Sequence, residues 1–501
     1  MKSTSLAVFA LCAAAGVVQA GPLEQFATPV VDDHLPVLGS ASAGQDLKLS
    51  TKSRYNIPDG VGLPPVASTS APEKAASSRC GNPSTPSTCK VIQIQLVARH
   101  GTRNPTQSNL KKHVALKKDF ASYIAPAPQY QFLSNFSLMC NTSMAGMLTT
   151  QGALDQLQLA QRLRARYPTL LNDASQFSWQ ATNISRTISS GEAFQKGMLS
   201  NAAELAAARK QIEASVLPEH IDSDLRPHDS CKKNVDERER REKAGEEPGE
   251  DFVKLRFPAI RDRLAAHIGF PNLSLADVEQ MFSLCSFENT IQGKNDGFCS
   301  LFSAEELELS NYGSDLAFWF ERSYGMPVAE QMGCSLLTTV TTNMDKKING
   351  SSDALNAHFK FGHAETLAPL LTTLGLFRDT LAANFTDAQI ASRVFRAADF
   401  APFSANVLFE LSECPPTANS TTTNPSLSIR IFSDETPVTL PGCTDPCPLD
   451  QFKSLIAGKI GCDFDGAVCN NTRPTVGGSA TLRSKSQLTD ADATPSEDDA
   501  D

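Results

Sequence analysis

The sequence predicts an α/β fold: a three-layer α/β core with a central mixed sheet, plus an inserted α-helical domain. Three observations lead to this prediction. Short apolar or alternating runs, typical of strands, occur in two separate blocks of the chain. Helical patterns follow these runs, and the stretch between the two blocks is mostly helical. Because strand–helix segments lie on both sides of a helical stretch, we expect both blocks to build one core.

These patterns divide the 501 residues into six parts. Lys2, an apolar run over 6–18 and a small-x-small cleavage pattern at 18–20 are typical of a secretory signal peptide. We therefore expect a secreted protein, extracellular or in an endomembrane lumen. The polar, acidic end of the chain lacks the apolar residues of a core. The predicted parts are a signal peptide (1–20), an N-terminal arm (21–88), the first part of the α/β core (89–202), an inserted helical domain (203–340), the second part of the core (341–472) and a disordered acidic tail (473–501).

The elements of the core can be predicted in order along the chain. The first block contains strands over 91–98 and 177–184, helices over 110–123 and 150–167, and a helix through Met198. The charged residues 232–251 in the helical stretch include glycine and proline, and are most simply an exposed loop or a frayed helix. The second block contains strands over 357–361, 404–411 and 426–432, and helices over 362–376 and 448–457.

Composition limits the classes of protein to which the chain can belong. Its 41% hydrophobic residues allow a substantial core, and its net charge of −10 argues against a general nucleic-acid binder. No apolar stretch is long enough for a membrane span, so we expect no membrane partner. No pair of cysteines has the C-x-x-C spacing of a zinc site, and we expect neither a metal nor another cofactor. The sequence carries no signal for an oligomeric state.

The cysteines and the glycosylation sequons agree with secretion. Twelve of the 13 cysteines follow the predicted signal peptide, which allows up to six disulfides. Proximity in the chain suggests that Cys80 pairs with Cys89 and that Cys285 pairs with Cys299. Glycosylation is expected at some of the Asn-x-Ser/Thr sequons. These begin at Asn135, Asn141, Asn183, Asn272, Asn349, Asn384, Asn419 and Asn470.

The first predicted strand leads directly into a turn that carries two arginines and a histidine. Residues 99–105 read Arg-His-Gly-Thr-Arg-Asn-Pro. Guanidinium groups bind phosphate in a bidentate manner, and a histidine held between them can attack phosphorus. The five fixed positions of R-H-G-x-R-x-P occur by chance only about once in several thousand chains of this length. Arg99, His100 and Arg103 are therefore predicted to form a phosphoryl-transfer site.

Two later segments have the same order of a strand, polar side chains and a helix start. They supply Arg186 after the second strand, and His363 with Glu365 after the third. Because strand ends meet at one edge of an open α/β sheet, we expect these side chains to join those of residues 99–103. Such a set could neutralise a phosphoryl group without a metal. On its own, however, Arg186 is equally compatible with a surface position, and His363 with Glu365 could be an ordinary helix start.

A polyphosphorylated substrate would need further positive charge. Lys111 and Lys112 lie in the predicted helix after the turn, followed by lysines at 117 and 118. Some of these side chains could contact phosphates that do not react, and Lys111 and Lys112 are the candidates. A solvated basic helix face is the equally weighted alternative.

The motifs together resemble the histidine acid phosphatases, the branch that contains the phytases. R-H-G-x-R-x-P with a distant His-Ala-Glu carries this resemblance. Within the branch, three segments are similar to the multiple inositol polyphosphate phosphatases: Thr-Lys-Ser-Arg-Tyr at 51–55, the turn at 99–106, and Phe-Gly-His-Ala-Glu-Thr-Leu at 361–367. The similarity extends in order over about residues 45–465. It implies the histidine phosphatase fold, with no cofactor.

The resemblance also implies roles for individual residues. His100 corresponds to the nucleophile and Glu365 to the proton donor, because Ala364 stands where other branches have an aspartate. Phosphate binding falls to Arg99, Arg103, Arg186 and His363. The implied function is a secreted phosphomonoesterase that hydrolyses inositol polyphosphates such as phytate through a phosphohistidine intermediate.

Three other functions are alternatives to this one. A broad-specificity secreted acid phosphatase is the first alternative. A phosphoglycerate mutase fits the secretory signal and the distant His-Ala-Glu poorly. A glycosylated binding protein could keep the fold without turnover, although every residue needed for the chemistry is present.

Overall fold

The computed structural model describes residues 47–58, 89–415 and 425–471. The predicted signal peptide, the predicted acidic tail, most of the predicted arm, Cys80 and Asn419 lie outside the described residues. Within them a seven-stranded sheet has the order β2-β3-β1-β4-β5-β6, with β7 paired to β5. Its strands are β1 (Lys90–Arg99), β2 (Phe177–Ala181), β3 (Ala357–Gly362), β4 (Asn406–Cys414), β5 (Ser426–Ser433), β6 (Thr436–Val438) and β7 (Cys447–Pro448).

The sheet is mixed, as the sequence predicts. Strand β3 lies between β1 and β2 and is parallel to both. Strand β4 is antiparallel to β1, and β5 is antiparallel to β4. Both parallel pairs join strands that lie on either side of the long helical part of the chain, whereas the antiparallel strands β4, β5 and β6 follow one another. Strands from both blocks therefore form one sheet.

Helices cover both faces of the sheet. Those of the first block are α1 (Gln107–Asp119), α2 (Thr150–Arg166) and α3 (Ser185–Met198). The middle of the chain forms α4 (Ala202–Ser215), α5 (Pro227–Ser230), α6 (Lys232–Ala244), α7 (Pro248–Ile268), α8 (Leu275–Phe287), α9 (Ala304–Arg322), α10 (Ala329–Met332) and α11 (Cys334–Ile348). The second block adds α12 (Ala364–Leu374), α13 (Asp387–Ser392) and α14 (Leu449–Ile456).

Strand β1 shows how the sequence separates the two faces. Ile94 and Leu96 pack into one apolar cluster with residues of α2 and α3, while Val97 belongs to a second cluster with residues of α11 and α12. On that second face Gln95 is also buried, and its Nε2 donates to the carbonyl oxygen of Val340 in α11 at 2.8 Å. Alternate residues of the strand thus face different layers, and the core has three layers.

The charged run 232–251 is ordered, so the expectation of an exposed loop or frayed helix was wrong. Helix α6 ends at Gly245, whose positive φ of 66° suits a helix C-terminus, and α7 begins at Pro248. Within α6, Glu237 accepts from both Arg240 and Arg241 at 2.8 Å. Arg241 is also buried and donates to the carbonyl oxygen of Phe320 at 2.8 Å. Tertiary hydrogen bonds thus hold a segment that charge alone would leave solvated.

The disulfides correct one predicted pair and confirm the other. Cys89 bonds to Cys414, not to Cys80, because the antiparallel pairing of β1 with β4 places the start of one strand beside the end of the other. Cys285 bonds to Cys299 as predicted. Within the described residues, Cys140 is the cysteine outside a disulfide. The remaining bonds are Cys231–Cys469, Cys334–Cys462 and Cys443–Cys447.

These bonds fit a protein of an extracellular or lumenal compartment. In the part of the chain that the structure describes, none of the helices combines the length and the apolar character needed to cross a membrane.

Candidate active site

Strand register brings the predicted site segments to one edge of the sheet. Arg99, the last residue of β1, pairs with Gly362 of β3, and Ala181 of β2 pairs with Phe361. The three parallel strands therefore end at the same level, and residues 100–103, 182–186 and 363–365 follow them. The backbone N–H of His100 donates to the carbonyl oxygen of Gly362 at 2.9 Å, which ties two of these segments together.

The turn after β1 requires glycine at position 101. A Cβ atom there would overlap the carbonyl oxygen of Gly152 at the start of α2. The backbone N–H of Gly101 donates to Ser190 Oγ in α3 at 3.0 Å, and Gln156 Nε2 of α2 donates to the carbonyl oxygen of Arg99 at 2.8 Å. The turn is therefore fixed from both sides by α2 and α3.

His100 is buried with its ring next to two other rings. Its Nδ1 lies 2.8 Å from the carbonyl oxygen of Gly101. Since a carbonyl only accepts, Nδ1 carries the proton, and in the neutral ring Nε2 carries the lone pair. The centroid of this ring is 5.6 Å from that of His363 and 5.9 Å from that of Phe403. His100 and His363 therefore lie side by side at the end of the sheet.

Contacts with neighbouring residues fix the two arginines of the motif. The side chains of Arg99 and Arg103 are fully buried, and Arg99 donates to the carbonyl oxygens of Thr51 and, at 2.7 Å, Ala401. The guanidinium carbon of Arg99 lies 4.5 Å from the centre of the Phe403 ring, and that of Arg103 lies 5.9 Å from it. Aromatic contact and backbone acceptors fix these guanidinium groups before any ligand binds.

Arg186 and His363 belong to the same cluster. Arg186 is buried in the first turn of α3. His363 precedes α12, and its Nε2 lies 2.9 Å from Thr182 Oγ1. Burial holds the pKa of His363 well below its usual value, and the positive charges of Arg226 and Arg186 lower it further, as does His100. His363 is therefore neutral in the unliganded protein.

Glu365 lies in the first turn of α12, two residues after His363, and is nine-tenths buried. The helix N-terminus favours negative charge at that place. In the described residues, no group of three or more histidine, cysteine, aspartate or glutamate side chains is placed to hold a metal ion.

Arg226 is a buried member of the cluster that the sequence did not reveal. It precedes the short helix α5, and its Nη1 lies 3.2 Å from His363 Nε2. Its guanidinium is paired with Asp229 at 2.5 Å and with Glu219 at 3.1 Å. An arginine inside a mostly helical stretch, with no strand before it, gives no signal that could have found it.

A cleft of about 980 Å³ is lined by residues that contact this cluster, whereas His100, His363 and the arginines of the cluster are not among its lining residues. Its lining includes Thr51, whose carbonyl contacts Arg99, and Asp229, which pairs with Arg226. Lys111 and Lys112 of α1 are both exposed, and of these two only Lys112 lines the cleft. Lys52, in the short 3₁₀ turn Ser50–Lys52, also lines it and was not predicted as a site residue.

The sequence of this chain is similar to those of known proteins. The model of the histidine phosphatase superfamily (branch 2) matches residues 90–433. The chain is 31% identical to multiple inositol polyphosphate phosphatase 1 of Gallus gallus over 396 residues, which covers 76% of this chain and 84% of that protein. It is 26% identical to phytase A of Aspergillus fumigatus, with 66% of this chain and 74% of that protein covered.

Solved structures show the same fold. The phytase of D. castellii superposes with a TM-score of 0.62 at 18% identity, covering 78% of this chain and 84% of that one. The multiple inositol polyphosphate phosphatase of Bifidobacterium longum, in complex with inositol hexasulfate, superposes with a TM-score of 0.59 at 17% identity and covers 83% of this chain and 99% of that one. The chain therefore belongs to branch 2 of the histidine phosphatase superfamily and is a phosphatase related to the multiple inositol polyphosphate phosphatases.

Proposed function

We propose that the protein is a secreted phosphomonoesterase that hydrolyses inositol polyphosphates, phytate included, through a phosphohistidine at His100. One observation carries the proposal: the register of β1 with β3 places the rings of His100 and His363 5.6 Å apart. Buried arginines surround this pair at the end of the sheet. The names of the relatives give the substrate class.

In the first step the lone pair on His100 Nε2 attacks phosphorus in line, and the bond from phosphorus to the ester oxygen breaks. Arg99, Arg103, Arg186 and His363 bind the phosphoryl oxygens and stabilise the charge that develops on them. Glu365 in its protonated form gives its proton to the leaving alkoxide. The ring of His100 becomes positively charged, and its Nδ1–H bond to the Gly101 carbonyl oxygen stabilises that charge.

In the second step water hydrolyses the phosphohistidine. The Glu365 carboxylate, left ionised by the first step, takes a proton from water as the water oxygen attacks phosphorus. The bond from phosphorus to His100 Nε2 breaks, phosphate leaves, and Glu365 is protonated again. Because the cycle starts from a protonated carboxyl group, we expect an acidic pH optimum, and a rate that peaks above neutrality would contradict this assignment.

The test is phosphate release from phytate by the purified secreted protein at about pH 5, without added metal, beside a His100→Ala variant. We expect release by the natural protein, and its loss in the variant with the fold intact by circular dichroism. Protein quenched in alkali, where a phosphohistidine is stable, should hold phosphate on His100. Release from a simple phosphomonoester but not from phytate would show a broad acid phosphatase, and binding of phytate without any release would show a binding protein.

A further inference from the structure

A short segment far from the catalytic turn in sequence is packed against that turn in the structure. It is residues 49–55, which contain the Thr-Lys-Ser-Arg-Tyr motif. Five of its side chains are buried, those of Leu49, Ser50, Thr51, Ser53 and Tyr55. We call residues 49–55 the anchored segment, because side chains near both of its ends donate hydrogen bonds to buried carboxylates. None of its side chains has a role in the reaction steps proposed above.

Two backbone carbonyls of the anchored segment contact the catalytic region. The carbonyl oxygen of Thr51 accepts a hydrogen bond from Arg99 Nη1, which also donates to the carbonyl oxygen of Ala401 at 2.7 Å. The carbonyl oxygen of Ser53 accepts from the backbone N–H of Phe403 at 3.1 Å. Since the Arg99 guanidinium packs on the Phe403 ring, the anchored segment fixes both the arginine and the ring beneath it.

These contacts determine the orientation of the Arg99 guanidinium. Its plane is set when one nitrogen is bonded to two carbonyls and the guanidinium carbon lies 4.5 Å from the centre of an aromatic ring. Bidentate binding of a phosphate requires that plane to meet two phosphoryl oxygens. A displacement of the Thr51 carbonyl would therefore turn the donors away from the phosphate without removing any positive charge.

Tyr55 holds the end of the anchored segment. Its hydroxyl donates to Glu435 Oε1 at 2.6 Å and accepts from Asn406 Nδ2 at 3.1 Å. Arg162 of α2 binds both oxygens of the same carboxylate, at 2.6 Å and 2.9 Å, and all four side chains are buried. Burial raises the pKa of Tyr55 well above its usual value, and the charge of Glu435 acts in the same direction. The hydroxyl thus keeps its proton and remains a donor.

Ser50 holds the beginning of the anchored segment. Its Oγ donates at 2.7 Å to Asp315 of α9, a buried carboxylate that is paired with Arg393 at 2.8 Å. Between the two anchors, Ser53 Oγ donates to the Ser50 carbonyl oxygen at 2.8 Å and accepts from the backbone N–H of Leu49 at 2.7 Å. The carbonyls that face Arg99 and Phe403 therefore belong to a closed turn that is tied to buried carboxylates near both ends.

We propose that the anchored segment is part of the phosphate site and that Tyr55 is a positioning residue for Arg99. The bond from the Tyr55 hydroxyl to Glu435 holds the segment in place, so that the Thr51 carbonyl keeps the Arg99 guanidinium in the orientation that binds phosphate. Tyr55 acts on the reaction through Arg99. This inference rests on the proposed function, because that function assigns Arg99 to the reacting phosphate.

The test removes the hydroxyl and keeps the ring. Tyr55→Phe should lower kcat/KM on para-nitrophenyl phosphate about tenfold and raise the inhibition constant of inorganic phosphate by a similar factor, with the fold intact by circular dichroism. Tyr167→Phe is the matched control, because the Tyr167 hydroxyl is also buried and donates to Glu410 at 2.6 Å. It should lose comparable stability and leave both constants unchanged. Unchanged constants in Tyr55→Phe, or equal changes in both variants, would overturn the inference.

A double-variant cycle tests whether the effect passes through Arg99. Adding Tyr55→Phe to an Arg99→Ala variant should cause no further loss, whereas adding it to an Arg186→Ala variant should again cost about tenfold. A tenfold loss that persists without Arg99 would show that Tyr55 supports only the general structure, and would overturn the inference.

The other anchor gives an independent measurement that does not depend on the folding of the Arg99→Ala variant. Ser50→Ala should raise the inhibition constant of inorganic phosphate about threefold, because one of the two anchors remains. An unchanged constant would contradict the role of the segment. Hydrolysis of para-nitrophenyl phosphate but not of phytate would overturn the proposed function alone, since the effects of these variants are measured without an inositol phosphate. Activity that survives in His100→Ala would overturn both.

Discussion

The sheet edge and the cleft beside it place charge in different ways. At the sheet edge, Arg99 and His363 lie at strand ends whose level is fixed by backbone hydrogen bonds, and both side chains are buried. In the lining of the cleft, Glu250 and Glu279 lie on helices and are exposed. The first arrangement holds side chains rigidly enough for chemistry, while the second changes charge without changing the fold. We therefore expect substitutions at the sheet edge to change the reaction itself, and substitutions in the lining of the cleft to change the preference among substrates.

The largest effect should come from changing the proton donor at the sheet edge. Glu365→Gln should lower kcat/KM on inositol phosphates by about 10³-fold, because an alkoxide is a poor leaving group that needs a proton. Para-nitrophenolate leaves without that help, so kcat/KM on para-nitrophenyl phosphate, which reports the first step alone, should fall far less. The value of kcat should fall on both substrates, because both share the second step in which Glu365 takes a proton from water. Equal losses in kcat/KM on the two substrates would show that Glu365 is not the proton donor.

Removing one arginine of the edge should have the next largest effect. Arg186→Ala should reduce kcat/KM on every phosphomonoester by about 10²-fold, since one donor to the developing charge is worth about 3 kcal/mol. Arg209→Ala is the matched control, because Arg209 pairs with Glu192 on the same helix as Arg186 but is half-exposed. If both variants kept the natural kcat/KM on small phosphomonoesters, Arg186 would not be a residue that binds the reacting phosphate.

A change of charge at Arg226 tests the electrostatic environment of His363 at the sheet edge. Arg226→Gln removes a positive charge 3.2 Å from His363 Nε2, so the pKa of His363 should rise, yet remain below its usual value because burial persists. His363 should then take up its proton at higher pH. Proton NMR of the histidine rings measures this, and the chain has only eight histidines to assign. An unchanged titration would place Arg226 away from His363. Arg241→Gln, at a buried arginine paired with Glu237, controls for the loss of any buried cation.

Much of the sheet edge could be predicted from the sequence, because its residues directly follow strand patterns that are recognisable in short segments of the chain. The run before residue 99 has the pattern of a buried strand, and the glycine at 101 marks the close approach of the turn to α2. The same order of strand, polar side chains and helix start located Arg186 and His363. Parallel strands that end at one level then bring such segments together without further information from the side chains.

The rest depends on contacts between distant residues, and local patterns do not encode these. Arg226 reaches His363 only through packing of the helical part of the chain against α12. The Cys89–Cys414 bond joins residues 325 positions apart and depends on the register of β1 with β4. The charged residues that line the cleft come from several helices, so the sequence could suggest a basic helix face but could not show which carboxylates line the same cleft.

The smallest expected effect is the difference between charge reversals at the two lysines that the sequence predicted as a pair of candidates. Lys112→Glu should raise KM for phytate about fivefold, because it replaces a positive charge in the lining of the cleft with a negative one. Lys111→Glu changes the same charge one residue away, on a side chain outside the cleft lining, and should raise KM much less. Neither substitution should move KM for para-nitrophenyl phosphate. Added salt should shrink the difference between the two variants, since screening weakens charge interactions near the surface. Equal rises in KM for phytate would mean that the charge of the whole helix, and not the position of Lys112 in the cleft, attracts the substrate.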